Sequence, residues 1–157
     1  YQFLHGSWLH VIMNSVGVLA FGPPAARLFG TDARGGAAFL AFYLVCGVLA
    51  GLGYLLVAGG DGDGAVGASG AVSGLMGAAA RIIQGRGLIG SIFGRTTLTI
   101  AAAWVIVNVV FGVSGLTPGA EGVPVAWQAH LAGLAAGLLL VGPFARLAGR
   151  SQSAFTQ

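Results

Sequence analysis

Residues 35–60 read GGAAFLAFYLVCGVLAGLGYLLVAGG, 26 consecutive positions without a charged side chain, bounded by Arg34 and Asp61. A helix needs about 20 apolar residues to cross the hydrocarbon of a bilayer, so this stretch is long enough to span one. Outward from it, the charges fall in small clusters: Arg27, Asp32 and Arg34; Asp61 and Asp63; Arg81, Arg86 and Arg95; Glu121; Arg146 and Arg150. Between them lie five uncharged stretches of 17 to 26 residues. Five membrane-spanning helices are expected, over 8–26, 36–58, 68–84, 97–115 and 126–146, joined by Gly-rich or Pro-containing connections such as Gly59 to Gly67 and Thr117 to Pro124. All seven arginines occupy every second connection, while Asp61, Asp63 and Glu121 hold the others and only Asp32 is out of place. Because cytoplasmic connections carry the excess of Lys and Arg, Tyr1 is expected outside and Gln157 inside.

Composition agrees with that reading. Of 157 residues only 7% are charged and 56% are hydrophobic, with a mean hydropathy of +0.88. A soluble domain carries about a quarter charged residues, so an ordinary soluble α/β domain and a disordered tail are both excluded. The 29 glycines have no three-residue period, which excludes collagen. A net charge of +3 comes from scattered arginines with no lysine, which is not a nucleic-acid-binding patch. The single cysteine, Cys46, has no partner for an intrachain disulfide. The expected architecture is an all-α polytopic membrane bundle, one domain over 1–150 with a polar tail over 151–157. An outside start, an odd number of spans and a first residue other than Met lead us to expect a fragment, with at least one helix upstream. The Arg-only, Ala/Gly/Val-rich composition points to a GC-rich bacterial genome, hence the bacterial inner membrane.

A strongly polar side chain in hydrocarbon is costly and marks function or interhelical bonding. His10 and Asn14 are four residues apart and share a helical face. Ser69 opens the third span within Gly67-Ala68-Ser69-Gly70, and His130 stands alone in the last. Ser69 follows Asp63 by six residues and His130 follows Glu121 by nine, which at about 1.5 Å per residue is roughly 9 to 14 Å of depth from the outer side. Four polar groups on three helices therefore share one layer. Gly70 with Gly74, and Gly133 with Gly137, form two G-x-x-x-G pairs that allow helices to pack backbone to backbone. His130, Gly133 and Gly137 share a face, so the imidazole is turned toward whichever helix the glycines touch. A Ser69–His130 contact is nucleophilic chemistry: the hydroxyl needs a base, and a neutral imidazole can take its proton and return it to a leaving amine. Asn14 and His10 can donate to an oxyanion. Each signal alone has a plainer reading, Ser69 as packing, His130 as a structural histidine, and His10 with Asn14 as interhelical glue.

Taken in order, His5, His10 and Asn14 as H-x-x-x-x-H-x-x-x-N, Gly67 to Gly70 as G-x-S-G, and Ala129-His130 with Gly133 and Gly137 as A-H-x-x-G-x-x-x-G, the chain resembles the rhomboid intramembrane serine proteases. The resemblance covers nearly the whole chain and corresponds to five of the six core helices, the second to the sixth. It implies that Ser69 is the nucleophile and His130 the base of a dyad without a third acid. It implies an oxyanion hole of Asn14, His10 and the Ser69 backbone N–H, and a water-filled cavity open to the outer face. Substrates would be transmembrane segments of other membrane proteins, admitted beside the helix over 97–115; no cofactor or metal is implied. His5 is structural in that reading. Two positions depart from the family pattern. Ser73 stands where some members place a tyrosine that packs on the histidine, and Gly22-Pro23-Pro24-Ala25-Ala26-Arg27 stands where many carry a glutamate before a glycine.

Other motifs fail on context. Gly62 to Gly67 fits G-x-G-x-x-G, but Asp63 would repel a pyrophosphate and no acid follows until Glu121. Asp61 and Asp63 begin like a calcium loop, yet Ala65 and Val72 stand where oxygen ligands are needed. The soluble-hydrolase G-x-S-x-G fails at Ala71. Zinc on the three histidines is disfavoured because His5 and His10 are expected on different helical faces with no cysteine or carboxylate nearby. Two other classes remain: an inactive rhomboid-like protein that binds membrane clients, against which both Ser69 and His130 are present, and a transporter, which should show repeats or mid-membrane charges that the chain lacks.

Overall fold

The computed structural model describes residues 1–58, 67–114 and 126–150. Over these the chain forms five helices, α1 (Trp8–Phe29), α2 (Ala33–Ala58), α3 (Ser69–Gln84), α4 (Arg95–Ser114) and α5 (Trp127–Leu147), in the five stretches that the charge pattern marks out. No strand is present among the described residues. Asp61, Asp63, Glu121, most of the two connections that hold them and the tail over 151–157 lie outside the described residues.

Four helices, α1, α2, α4 and α5, are long and apolar enough to cross a membrane. Their outward faces stay apolar, as at Leu56, Ile106 and Val113, which are 85%, 63% and 81% exposed. Such surface is stable against lipid and costly against water. The third expected span differs. With 16 residues α3 is about 24 Å long, short of the roughly 30 Å of hydrocarbon. It forms the centre of the bundle, touching all four other helices, and every residue from Gly70 to Ala80 is buried. Its small side chains let the neighbours close in: a Cβ on Gly70 would lie 2.5 Å from that of Ala50, and one on Gly77 would lie 2.5 Å from the Leu134 carbonyl oxygen.

The ends of the helices show why they start and stop where they do. The Ser7 side chain caps α1, accepting from the His10 backbone N–H at 3.2 Å. Asp32, the charge out of place in the sequence pattern, caps α2: its Oδ1 accepts from the Gly35 N–H at 2.7 Å, and its Oδ2 pairs with Arg150 at 3.3 Å. Helix α1 continues through Pro23 and Pro24 to Phe29, past the expected end at 26. The arginines satisfy carbonyls at helix ends, where cations are favoured: Arg150 bonds the Phe29 carbonyl at 3.1 Å and Arg34 that of Leu147 at 2.9 Å. Arg81 bonds the carbonyls of Gly90 and Leu138 at 2.9 and 2.7 Å.

Just above this arginine end lies an apolar core in which Phe42 makes edge contacts to Phe29 and Phe144, with Cys46, Leu75, Ile82 and Val141 around them. At the opposite end the N-terminal segment is tied to α2. Gln2 is buried, donating to the Leu44 carbonyl at 3.1 Å, and the Tyr1 hydroxyl bonds the Gly47 carbonyl. The Tyr1 carbonyl in turn accepts from the Gly67 N–H at 3.1 Å, which anchors the backbone just before Ser69.

Candidate active site

Helices α1, α3 and α5 all begin at the end of the bundle away from the arginines, and each brings a polar group there. Ser69 is the first residue of α3 and His130 lies in the first turn of α5. Both are half-buried. Ser69 Oγ and His130 Nε2 are 2.7 Å apart, within hydrogen-bond reach. The two G-x-x-x-G pairs are what permit this approach: a Cβ on Gly133 would stand 2.1 Å from the Gly70 carbonyl oxygen, and one on Gly137 would stand 1.9 Å from that of Gly74.

His10 and Asn14, on α1, flank the backbone two residues before the serine. At Gly67 φ is +103°, a conformation that favours glycine, and a Cβ there would lie 2.6 Å from His10 Cε1 and 3.6 Å from Asn14 Nδ2. Asn14 is buried and gives one amide N–H to the His10 carbonyl at 2.9 Å, leaving the other for a ligand. Among the described residues no hydrogen bond joins His10 or Asn14 directly to Ser69 or His130. His5 precedes the Ser7 cap and is therefore not helical, so the expectation that it and His10 occupy different helical faces is corrected. Their rings meet edge to face with centroids 5.0 Å apart. No group of three His, Cys, Asp or Glu side chains arranged to hold a metal occurs among the described residues.

The start of α3 also contributes without side chains. Its cap residue, Ala68, supplies no side-chain acceptor, so the first backbone N–H groups of the helix, beginning with Ser69, have no intrahelical partner. Such a helix start attracts negative charge.

One residue of the site was not among the sequence candidates. Asn108 of α4 is 4% exposed, and its Oδ1 bonds His130 Nδ1. Its Nδ2 donates to the Trp104 carbonyl at 2.9 Å. The Trp104 ring, one turn earlier, lies beside the imidazole with centroids 6.3 Å apart. The signal was there to be read: Asn108 is a strongly polar side chain within the apolar run 97–115, the kind that membrane spans retain for a reason.

A family model for the rhomboid domain matches residues 1–146. The chain belongs to the rhomboid family. No curated protein and no solved structure matches it. This rhomboid protein is an integral, multi-pass membrane protein with a helical bundle of the rhomboid kind. Its Ser73, at the tyrosine position of some rhomboid proteases, is fully buried and bonds the Ser69 carbonyl at 2.8 Å, without reaching His130. In this rhomboid the imidazole is held from α4 instead, by Asn108 and Trp104.

Proposed function

We propose that the protein is an intramembrane serine endopeptidase that cleaves transmembrane segments of other membrane proteins. The observation that carries this is the 2.7 Å contact between Ser69 Oγ and His130 Nε2, two side chains that face one another in a lipid-embedded bundle. A serine hydroxyl is a weak nucleophile until a base takes its proton, and a neutral imidazole at this distance can do so. As Oγ bonds to the substrate carbonyl carbon, the proton passes to Nε2 and the carbonyl oxygen becomes an oxyanion. The Ser69 backbone N–H, the remaining Asn14 amide N–H and the His10 ring donate to that oxyanion in this mechanism. Collapse of the intermediate breaks the C–N bond, and His130 gives its proton to the leaving amine. Water then repeats the sequence on the acyl-enzyme, releasing the second product and restoring Ser69.

The half-burial of both groups suits a substrate that must leave its helix locally, because a helical peptide carbonyl is already bonded within its own segment. All seven arginines belong to the far end of the bundle, so the site opens toward the outer side of the membrane. For a bacterial protein this is the outer face of the inner membrane. The chemistry requires no cofactor. A fluorophosphonate probe, which phosphonylates activated serines with loss of fluoride, tests the reading: labelling should map to Ser69 and disappear in both Ser69→Ala and His130→Ala. Wild-type protein that resists the probe would favour a rhomboid-like protein that binds clients without cutting them.

A further inference from the structure

An imidazole can act as base toward Ser69 only if Nε2 carries a lone pair, which requires the proton to be on Nδ1. The surroundings of Asn108 decide that question. The Trp104 carbonyl can only accept, so the amide end that faces it at 2.9 Å must be the nitrogen. The opposite end, facing His130 Nδ1, is therefore the amide oxygen, which also can only accept. Two acceptors cannot bond each other, so Nδ1 must bear the hydrogen, and in the neutral ring Nε2 is then the acceptor for the Ser69 hydroxyl. One backbone carbonyl of α4 thus fixes, through an amide and an imidazole, the direction of the proton on a serine in α3.

The rest of α4 makes Asn108 stand out further. Only Thr97 and Asn108 are buried on this helix, and Thr97 sits near the arginine end, where it bonds the Ser91 carbonyl at 3.0 Å. Near the site Asn108 is the buried residue of α4, and the group it bonds on α5 is His130, while Gly112 packs on Trp127 one turn further on. Trp104, on the same face one turn away, flanks the same ring.

We infer that Asn108 is a positioning residue that holds His130 in its Nδ1–H tautomer, so that the seating of α4 decides whether the serine–histidine pair is competent. The role rests on the proteolytic reading for its consequence in catalysis, but the tautomer itself does not depend on it. Ring nitrogen chemical shifts of ¹⁵N-histidine-labelled protein in detergent report the tautomer, with His130→Ala assigning the resonance. The wild type should show Nδ1–H at His130. Asn108→Leu, which keeps the size but removes the oxygen, should lose that preference and lower the rate of fluorophosphonate labelling roughly 10²-fold, the lower end of what general base catalysis contributes. Asn108→Asp returns an oxygen to Nδ1 and should restore both the tautomer and most of the labelling. A purely structural role would make both substitutions lower thermal stability and labelling together, with no rescue by Asp, and would overturn the inference. So would an unchanged Nδ1–H signal in Asn108→Leu. If the wild type labels no probe, the proteolytic reading falls while the tautomer measurement still decides the role of Asn108.

Discussion

Gly133 of α5 lies so close to Gly70 of α3 that any β-carbon on it would stand 2.1 Å from the Gly70 carbonyl oxygen. Gly137 repeats the relationship one turn further, 1.9 Å from the Gly74 carbonyl oxygen. Ser69 precedes Gly70, and His130 lies about one turn before Gly133. The glycine contact that holds the two backbones together is therefore also what brings the hydroxyl to the imidazole.

Gly137→Ala should force the two helices apart. A methyl at that distance meets backbone, which cannot rotate away, and overpacking of this kind costs about 1–3 kcal/mol. The thermal transition in detergent should fall, and probe labelling of Ser69 should fall with it. Gly36→Ala is the control, because nothing lies within 4 Å of a Cβ there. It should be neutral or slightly stabilising, since alanine is the better helix former by about 1 kcal/mol.

Ser73 offers a contrast. Among the described residues its hydroxyl bonds only the Ser69 carbonyl of its own helix, so Ser73→Ala should change stability by about 1 kcal/mol or less and leave probe labelling close to wild type. Ser73→Tyr should destabilise the protein by several times as much, because the position is fully buried and has no room for a phenol. Thermal melts of the two variants, run beside the labelling assay, check both statements.

How much of this could be read in advance depended on whether the cause was local. The helices over 36–58 and 126–146 follow from the distance between charges, and α2 and α5 occupy those stretches with small shifts at their ends. The packing of Gly70 and Gly74 on Gly133 and Gly137 follows from small residues at helical spacing. What escaped was set by residues distant in the chain. Asp32 looked misplaced because its partners are the Gly35 backbone and Arg150, the second of which no local pattern reveals. Gln2 and Tyr1 seat on the surface left by Gly47 and Gly51 of α2, a contact with no sequence signature. Asn108 stood out as a strongly polar residue in an apolar run, but its partner did not, because His130 lies 22 residues further along the chain. Helix α3 was legible in position but not in role, since its 16 residues looked like a short span and form the buried centre.

Arg81 ties the end of α3 to the turn after it and to α5, through the Gly90 and Leu138 carbonyls. Arg81→Leu leaves both without their charged donor, and hydrogen bonds to charged groups contribute about 1.5–3 kcal/mol each. The expected outcome is a clear drop in the thermal transition. The labelling rate per folded molecule should be kept, because Arg81 is at the end of the bundle away from Ser69.

Asp32 separates a cap from an ion pair. Asp32→Asn retains an oxygen for the Gly35 N–H and loses only an exposed pair with Arg150, which is worth about 1 kcal/mol or less. Asp32→Ala removes the cap as well and should cost about 1 kcal/mol more. Equal transition temperatures for the two variants would show that the cap contributes nothing measurable.

The most direct test of the serine–histidine mechanism is cleavage of a tagged single-span membrane protein by the purified protein in detergent, with a metal chelator present. The wild type should release a product cut in or near the membrane segment, and Ser69→Ala and His130→Ala should each abolish it. Product that persists in the Ser69→Ala protein, or that disappears when chelator is added to the wild type, would contradict a serine–histidine mechanism.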